Sequence, residues 1–235
     1  KLSEGTKTSI QNFYNKILDD NRRNSVFVDV TANIEVAKSY ASYLRKSIAV
    51  VACNKIACSS DYKKYEELKS LSTKYNAPFL FETNVGAGLP IIDTLSNLMA
   101  SGDEIISIKA VLSGSLNFVF NNYKEGVPFH DVVKQAQAEG YTEPDPRIDL
   151  SGVDVARKIL ILARESGLKM DLDDVVNLPF LTKKNLESTT VDHFYETLIQ
   201  DDSHFQQLLE TANKNGTRLK YVAQLEKGNP NNLLL

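Results

Sequence analysis

Cysteine is scarce in this chain of 235 residues: only Cys53 and Cys58 occur, and the three histidines, His130, His193 and His204, are far from them in sequence. Two thiols five residues apart make neither a disulfide scaffold nor a recognisable zinc pattern, and with no histidine beside them they read as buried or incidental rather than nucleophilic. The histidines fall on polar helical stretches and read as surface residues. A surplus of positive charge is also missing. The formal charge of −3 and pI near 5.7 leave no basic surface for nucleic acid. No apolar run approaches the ~20 residues of a membrane span, so neither nucleic acid nor a membrane is an expected partner. The polar opening Lys1-Leu2-Ser3-Glu4-Gly5 is no signal peptide; it suits a cytoplasmic chain cut from something longer. Finally, the G-x-G-x-x-G turn that cradles a pyrophosphate on a helix N-terminus is absent, and Gly86-Ala87-Gly88 is too short to replace it.

What remains is ordinary globular material, 42% hydrophobic and 24% charged, enough for one large or two smaller domains. Ile10, Phe13, Tyr14, Ile17 and Leu18 form a helical stripe over residues 7–20, and 26–30 is a short apolar run expected to be a buried strand. A helix over 35–46, a strand over 48–52, a helix over 61–74 and a strand over 79–82 follow. This β-α-β-α-β order builds a parallel sheet with right-handed crossovers. Further on, the pattern predicts a helix over 88–101 with Pro90 in its first turn, a strand over 104–113, helices over 116–123 and 129–139, helix over 191–213 and a strand over 218–225.

The densest chemistry lies in residues 140–158. Glu143, Asp145, Asp149 and Asp154 share this stretch with Pro144, Pro146 and Lys158. The prolines bias Glu143 and Asp145 toward extended geometry, which predicts a stiff, non-helical strap. Ser151 then suits the N-cap of a helix that is apolar almost all round from Val153 to Ala163. Asp154 and Lys158, four apart, share a face near its start, where Val155, Ile161 and Leu162 flank the lysine and partly desolvate it. One reading is a capping box of Ser151 and Asp154 with an ordinary helix ion pair. The other is a lysine tuned as a proton donor or a binder of a small zwitterion. Lys55 and Thr31 end strands at the carboxyl edge of the expected sheet, where ligands bind in this architecture. Alone they also read as a surface lysine and a helix cap. The stretch from Glu82 to Leu89 is a glycine-bearing turn, either a simple strand-to-helix connection or a close approach to a ligand.

The segment Y-T-E-P-D-P-R-I-D-L-S-G-V-D-V-A-R-K beginning at Tyr141 resembles homoserine dehydrogenase without a gap. Val28-Asp29-Val30-Thr31, Asn54-Lys55, the run from Glu82 to Pro90 and Leu112-Ser113-Gly114-Ser115-Leu116-Asn117 agree in order and spacing, so the resemblance spans roughly residues 26–225. The Thr83-Asn84 spelling and the polar helix before the first strand are similar to the form fused to an aspartokinase. The resemblance implies an α/β chain: an incomplete Rossmann-like NAD(P)-binding domain over 1–84, then an incomplete α+β substrate-binding and dimerisation domain over 85–235. It also implies that the missing glycine-rich turn and its strand lie upstream of Lys1, and that further strands follow residue 225. The resemblance assigns no counterpart to residues 228–235.

The same resemblance implies an NADP- or NAD-dependent interconversion of L-homoserine and L-aspartate 4-semialdehyde, in threonine and methionine biosynthesis. Lys158 is then the proton donor and acceptor, and Glu143, Asp154, Asp149 and Lys55 meet the substrate, with Asp149 shaping the charge around Lys158. Thr31, Lys55 and Gly140 meet the cofactor, and the main-chain carbonyls of Glu82, Val85, Ala87 and Leu89 hold a sodium ion. A homodimer or higher assembly is implied as well. A related reductase of another small amino acid would not need the Glu143, Asp154 and Lys158 set, and a non-catalytic regulatory module would leave the strap carboxylates without a task.

Overall fold

Runs rich in valine and phenylalanine and bounded by Asn, Asp and Pro favour strands over helix, and three such runs pair in the first half of the chain. The computed structural model describes residue 5 and residues 7–228; the remaining N-terminal residues and 229–235 lie outside the described residues. After α1 (Ile10–Asp20), β1 (Val26–Asp29) pairs in parallel with β2 (Ala49–Ala52), and β2 with β3 (Phe79–Leu80), in the order β1-β2-β3. Phe27 lies opposite Val50, and Val50 opposite Phe79, so one row of side chains crosses the sheet. Between the strands run α2 (Ile34–Lys38) and α3 (Tyr40–Leu44), then α4 (Ile56–Ser59) and α5 (Tyr62–Lys74). Phe27 stacks on Tyr43 with ring centroids 4.1 Å apart, and Tyr40 meets Phe27 and Phe79 edge-on.

The chain divides into two compact units, Lys1–Asp103 with Ile161–Leu172, and Glu104–Leu160 with Asp173–Leu235. The first holds the parallel sheet and α6 (Ile91–Ala100). The second holds the antiparallel pair β4 (Ser107–Ala110) and β5 (Ala223–Glu226), with α7 (Gly114–Asn122), α8 (Phe129–Ala138), α9 (Pro146–Leu150), α11 (Lys183–Leu186), α12 (Val191–Gln200) and α13 (Asp202–Lys214). Its core gathers Leu116, Val119, Phe129, Val133, Phe194, Leu198 and Phe205, with Phe129 stacked on Phe205 at 4.1 Å. Helix α10 (Val153–Glu165) contributes residues to both units. Val155, Ala156 and every residue from Ile159 to Arg164 are buried. The enclosed Arg164 guanidinium is satisfied inside the first unit: it donates to the carbonyls of Cys58, Ser60 and Met170 and pairs with Asp171 at 3.0 Å. Burial still holds its pKa below the usual arginine value.

Several expectations are corrected. The run 26–30 is buried on one face only, with Phe27 and Asp29 inward and Val26, Val28 and Val30 exposed, because helices cover one side of a period-two strand. The helix expected over 35–46 breaks at Ser39, whose hydroxyl donates to the Val36 carbonyl at 2.6 Å. The helix over 191–213 breaks at Asp201, whose carboxylate accepts from Thr182 and Asn185. The strands over 104–113 and 218–225 shrink to β4 and β5, and β3 gives way at Glu82 to a 3-10 turn. The strap is not wholly non-helical. Pro146, harmless at a first helical position, opens α9 with Asp145 as its cap. Ser151 therefore closes α9, donating to the Ile148 carbonyl at 2.8 Å, and the Gly152 carbonyl accepts the first bond of α10 from Ala156.

Gly152 connects these helices with φ of +76°, and a Cβ there would run into the Tyr221 hydroxyl, which itself donates to Asn177 at 2.8 Å. Gly126 shares the conformation, at φ +80°, but has open space around it. Replacing Gly126 by Ala is expected to cost about 1–2 kcal/mol, the left-handed penalty alone, and Gly152→Ala clearly more, because steric overlap adds to it. Urea unfolding of both variants checks this; equal losses would show that Tyr221 moves aside freely.

Candidate active site

Three segments of the second unit converge around the charged residues. Ser113 caps α7 by accepting from the Leu116 amide at 3.1 Å, which sets the loop before it. From that loop the Leu112 carbonyl accepts a hydrogen bond from Lys158 Nζ at 2.7 Å. Ser115 Oγ donates to Asp149 Oδ1 at 2.7 Å, and the other Asp149 oxygen accepts from the Glu143 amide at 2.9 Å. One short motif thus anchors both the lysine and the strap. Lys158 also pairs with Asp154 at 2.7 Å, its side chain only 17% exposed against 45% for the aspartate. Two acceptors fix the direction of the ammonium, and the apolar helix around it limits solvent.

The strap is pinned at further points. Gln137 donates to the Pro144 carbonyl at 2.7 Å, and Tyr141 stacks on Phe118 at 4.0 Å. Arg147 forks onto Asp145 and donates to the Ser188 carbonyl at 2.7 Å; its hydrogen bonds hold the Asp145 carboxyl below the usual range. Asp145 is thus committed to structure, while the Glu143 side chain stands exposed. Gly140, also exposed, ends α8 with φ of +76°. Sequence reasoning had given Ser115 and the Leu112 carbonyl no task, since only the fold brings residues so distant in sequence together.

In the first unit the carboxyl edge of the sheet carries Thr31 and Lys55. Thr31 is exposed; Lys55 is half-buried and directly precedes α4. Both loops hang on Asp29, which is 1% exposed. It accepts from the Thr31 amide at 2.8 Å, from Tyr40 Oη at 2.5 Å and from Asn54 Nδ2 at 3.0 Å. Burial pushes the Asp29 carboxyl up, but the bonds from Tyr40, Thr31 and Asn54 together outweigh it and leave the pKa below the ordinary value. In the sequence Asp29 is legible as a carboxylate on an inward position of a short apolar strand.

The turn after β3 contains Gly86 at φ +84° and Ala87 at +53°, and a Cβ on Gly86 would meet Ile91 Cγ1 at 2.5 Å. The Glu82 carboxylate caps α6 through the Ile92 and Asp93 amides, both at 2.8 Å. The Glu82 and Leu89 carbonyls accept from the Val85 and Ile91 amides, and each carbonyl has a second lone pair. Neutral main-chain oxygens are a donor set that fits a hard cation. Among the described residues no cluster of His, Cys, Asp and Glu is arranged for a metal, and no helix is long and apolar enough to cross a membrane.

Two of the three histidines depart from expectation. His193 is exposed, but His130 is half-buried beside Asp131, its Nε2 3.1 Å from the carboxylate, and His204 is half-buried with Nε2 2.9 Å from the Phe180 carbonyl. Cys58 is buried, which pushes its thiol up and away from nucleophilic use, whereas Cys53 is exposed. A cleft of about 530 Å³ in the second unit, lined by Phe120, Lys124, Leu209, Arg218 and Lys220, includes none of the residues named for catalysis.

A parallel β-α-β-α-β unit with a polar carboxyl edge places the chain among α/β proteins that bind ligands at the carboxyl ends of their strands. The homoserine dehydrogenase NAD-binding domain profile matches residues 3–82 and the homoserine dehydrogenase profile residues 90–232. The chain belongs to the homoserine dehydrogenase family. It is 44% identical to a bifunctional aspartokinase/homoserine dehydrogenase of Haemophilus influenzae over 87% of its length, and 40% identical to a chloroplastic one of Arabidopsis thaliana over 96%. It spans about a quarter of the length of these curated relatives, 25% of each. A crystal structure of a protein of unknown function from Candida auris matches 98% of this chain with TM-score 0.90 and 32% identity, the match covering 65% of that protein. A hyperthermophilic archaeal homoserine dehydrogenase in complex with NADPH matches 96% with TM-score 0.66 and 26% identity, covering 58% of that protein.

The depressed pKa of Asp29 sets a direction for acid stability. A carboxyl whose folded pKa lies below its unfolded value, about 4, adds stability above that value and loses it as pH falls through the folded one. Asp145 acts in the same sense. The unfolding free energy is therefore expected to fall below about pH 4, and the acid limb to be flatter in Asp29→Asn. Urea titrations between neutral and strongly acidic pH measure it; identical slopes in both proteins would remove Asp29 from the acid response.

Proposed function

We propose that the protein to which this chain belongs interconverts L-homoserine and L-aspartate 4-semialdehyde with NADP or NAD, a step toward threonine and methionine. The single observation that carries this reading is the Lys158 ammonium, held by Asp154 and the Leu112 carbonyl, in one compact unit with Glu143 and Asp149. The bound nicotinamide supplies or receives the hydride. Lys158 gives a proton to the aldehyde oxygen during reduction and takes it back from the hydroxyl during oxidation. Two of its three N–H donors hold the side chain in place, and the third is the one this chemistry uses. Glu143 and Asp154 grip the substrate ammonium, and Asp149 fixes the backbone at Glu143. Lys55 meets substrate and cofactor, while Thr31 and Gly140 let main chain approach the cofactor.

In this reading residues 1–84 belong to a dinucleotide-binding domain and 85–235 to a substrate-binding and dimerisation domain. The protein works as a homodimer or larger assembly in the cytoplasm, with the carbonyls of Glu82, Val85, Ala87 and Leu89 holding a sodium ion. The match of residues 3–82 to an NAD-binding domain supports the first of these assignments, and the oxygen-only donor set of the 82–89 turn supports the cation site.

The direct test is NADPH-dependent reduction of aspartate 4-semialdehyde by the full-length protein; no turnover would overturn the reading. In that protein Lys158→Ala is expected to lower kcat by at least ~100-fold, the scale of lost acid–base catalysis, with little change in the unfolding midpoint. Near-normal turnover would assign the proton to another group. Glu143→Gln keeps shape and removes charge, and so is expected to raise the KM for homoserine more than it lowers kcat; an unchanged KM would place the substrate ammonium elsewhere.

A further inference from the structure

We infer that Asp29 is a positioning residue for the ligand-facing edge of the parallel sheet, one carboxylate that sets both the loop bearing Thr31 and the loop bearing Lys55. The inference rests on the proposed function, which makes these two residues cofactor contacts.

Asp29 ends β1 with its side chain turned inward, and its neighbour across the sheet is Ala52, the last residue of β2. Its Oδ1 takes the Thr31 amide, fixing the turn out of β1. Its Oδ2 takes Tyr40 Oη and Asn54 Nδ2. Asn54, 2% exposed, carries the constraint onward: the same Nδ2 donates to the Asn33 carbonyl, and its Oδ1 accepts from the Ile56 amide, which brackets Lys55. Asn33 in turn caps α2 through the Glu35 and Val36 amides. The turn after the third strand meets this edge separately, since the Asn84 side-chain amide lies 2.9 and 3.0 Å from the carbonyls of Cys53 and Ala52, two acceptors that its NH₂ group suits.

Three donors from separate segments therefore converge on two oxygens that carry a full negative charge. An amide of the same shape cannot serve them. Asparagine offers one acceptor oxygen and presents an NH₂ group where Oδ2 stood. Tyr40 can rotate its hydroxyl to accept from that group. The Asn54 amide nitrogen cannot reverse its role without giving up the Ile56 amide. The misfit thus falls on the Asn54–Lys55 loop when the NH₂ group faces Asn54, or on the Thr31 turn when it faces the Thr31 amide, rather than on the core, where Tyr40 keeps its ring packing against Phe27 and Phe79. This is the pattern of a residue whose loss shifts ligand contacts without melting the sheet.

The test uses the full-length protein. NADPH binding is followed by nicotinamide fluorescence, and hydrogen–deuterium exchange of peptides covering 29–34 and 53–57 is followed in the cofactor-free state. Asp29→Asn is expected to weaken NADPH binding by at least ~10-fold, the scale of a small misplacement of binding groups, and to speed exchange in both peptides together while that of α5 stays unchanged. Tyr40→Phe removes one donor and leaves the carboxylate. It is expected to weaken binding by less than Asp29→Asn but by more than twofold, and it reads the same coupling should Asp29→Asn fail to fold. Binding within twofold of wild type in both variants, or faster exchange spread evenly through the sheet, would overturn the inference. A wild-type protein that binds no NADPH would instead overturn the proposed function.

Discussion

A helix enclosed on most of its surface can carry charge only where other groups answer that charge, and α10 depends on this constraint at both ends. Near its start Lys158 is answered by Asp154 and the Leu112 carbonyl, and near its end Arg164 by three carbonyls and Asp171. Between them lie apolar residues that no solvent reaches. An uncompensated charge at either place would cost several kcal/mol, so the loops that supply the oxygens are bound to the helix as firmly as the helix is bound to its core. The two ends still differ. Arg164 is fully enclosed and spends its donors on structure, whereas Lys158 keeps some exposure and faces a partner that is itself half open to solvent.

The strap shows the same economy in its carboxylates. Of four acidic residues close together, Asp145 is consumed by Arg147, Asp149 by Ser115 and the Glu143 amide, and Asp154 pairs with Lys158. Glu143 is exposed, and Asp154 keeps 45% of its side chain open beside Lys158. Electrostatic arguments from sequence would treat the four as one negative patch, yet in the fold they have separate duties. The short motif from Leu112 to Ser115 makes that division possible, because it reaches the lysine with a carbonyl and the strap with a hydroxyl.

At the carboxyl edge of the parallel sheet the same principle works through neutral donors. Asp29, Asn54 and Asn84 are each almost wholly buried: Asp29 accepts from the Thr31 amide in the turn out of its own strand, Asn54 donates to the Asn33 carbonyl, and the Asn84 amide lies beside the carbonyls of Cys53 and Ala52. Such an edge holds loop geometry by satisfied polar contacts rather than by apolar packing, which leaves the outer faces of those loops open to a ligand.

Periodicity and breakers in the sequence determined the β-α-β-α-β order, the parallel sheet, the near-continuous burial of α10 and the placing of Asp154 and Lys158 on one face, because these depend on neighbours within a turn or two. The strap residues likewise announced themselves through composition alone. The break at Asp201 and the one-sided burial of β1 escaped it, since each follows from a side chain or layer supplied by another segment, whereas the break at Ser39 and the helix opened by Pro146 rest on local side-chain hydrogen bonds that periodicity does not report. Only the tertiary structure decided which carboxylates are spent on structure and which stand open, that Ser115 meets Asp149 from 34 positions away, and that Asp29 gathers donors from Thr31, Tyr40 and Asn54. Hydrogen-bond partners distant in sequence leave no periodic trace in it, and packing alone brings them within reach.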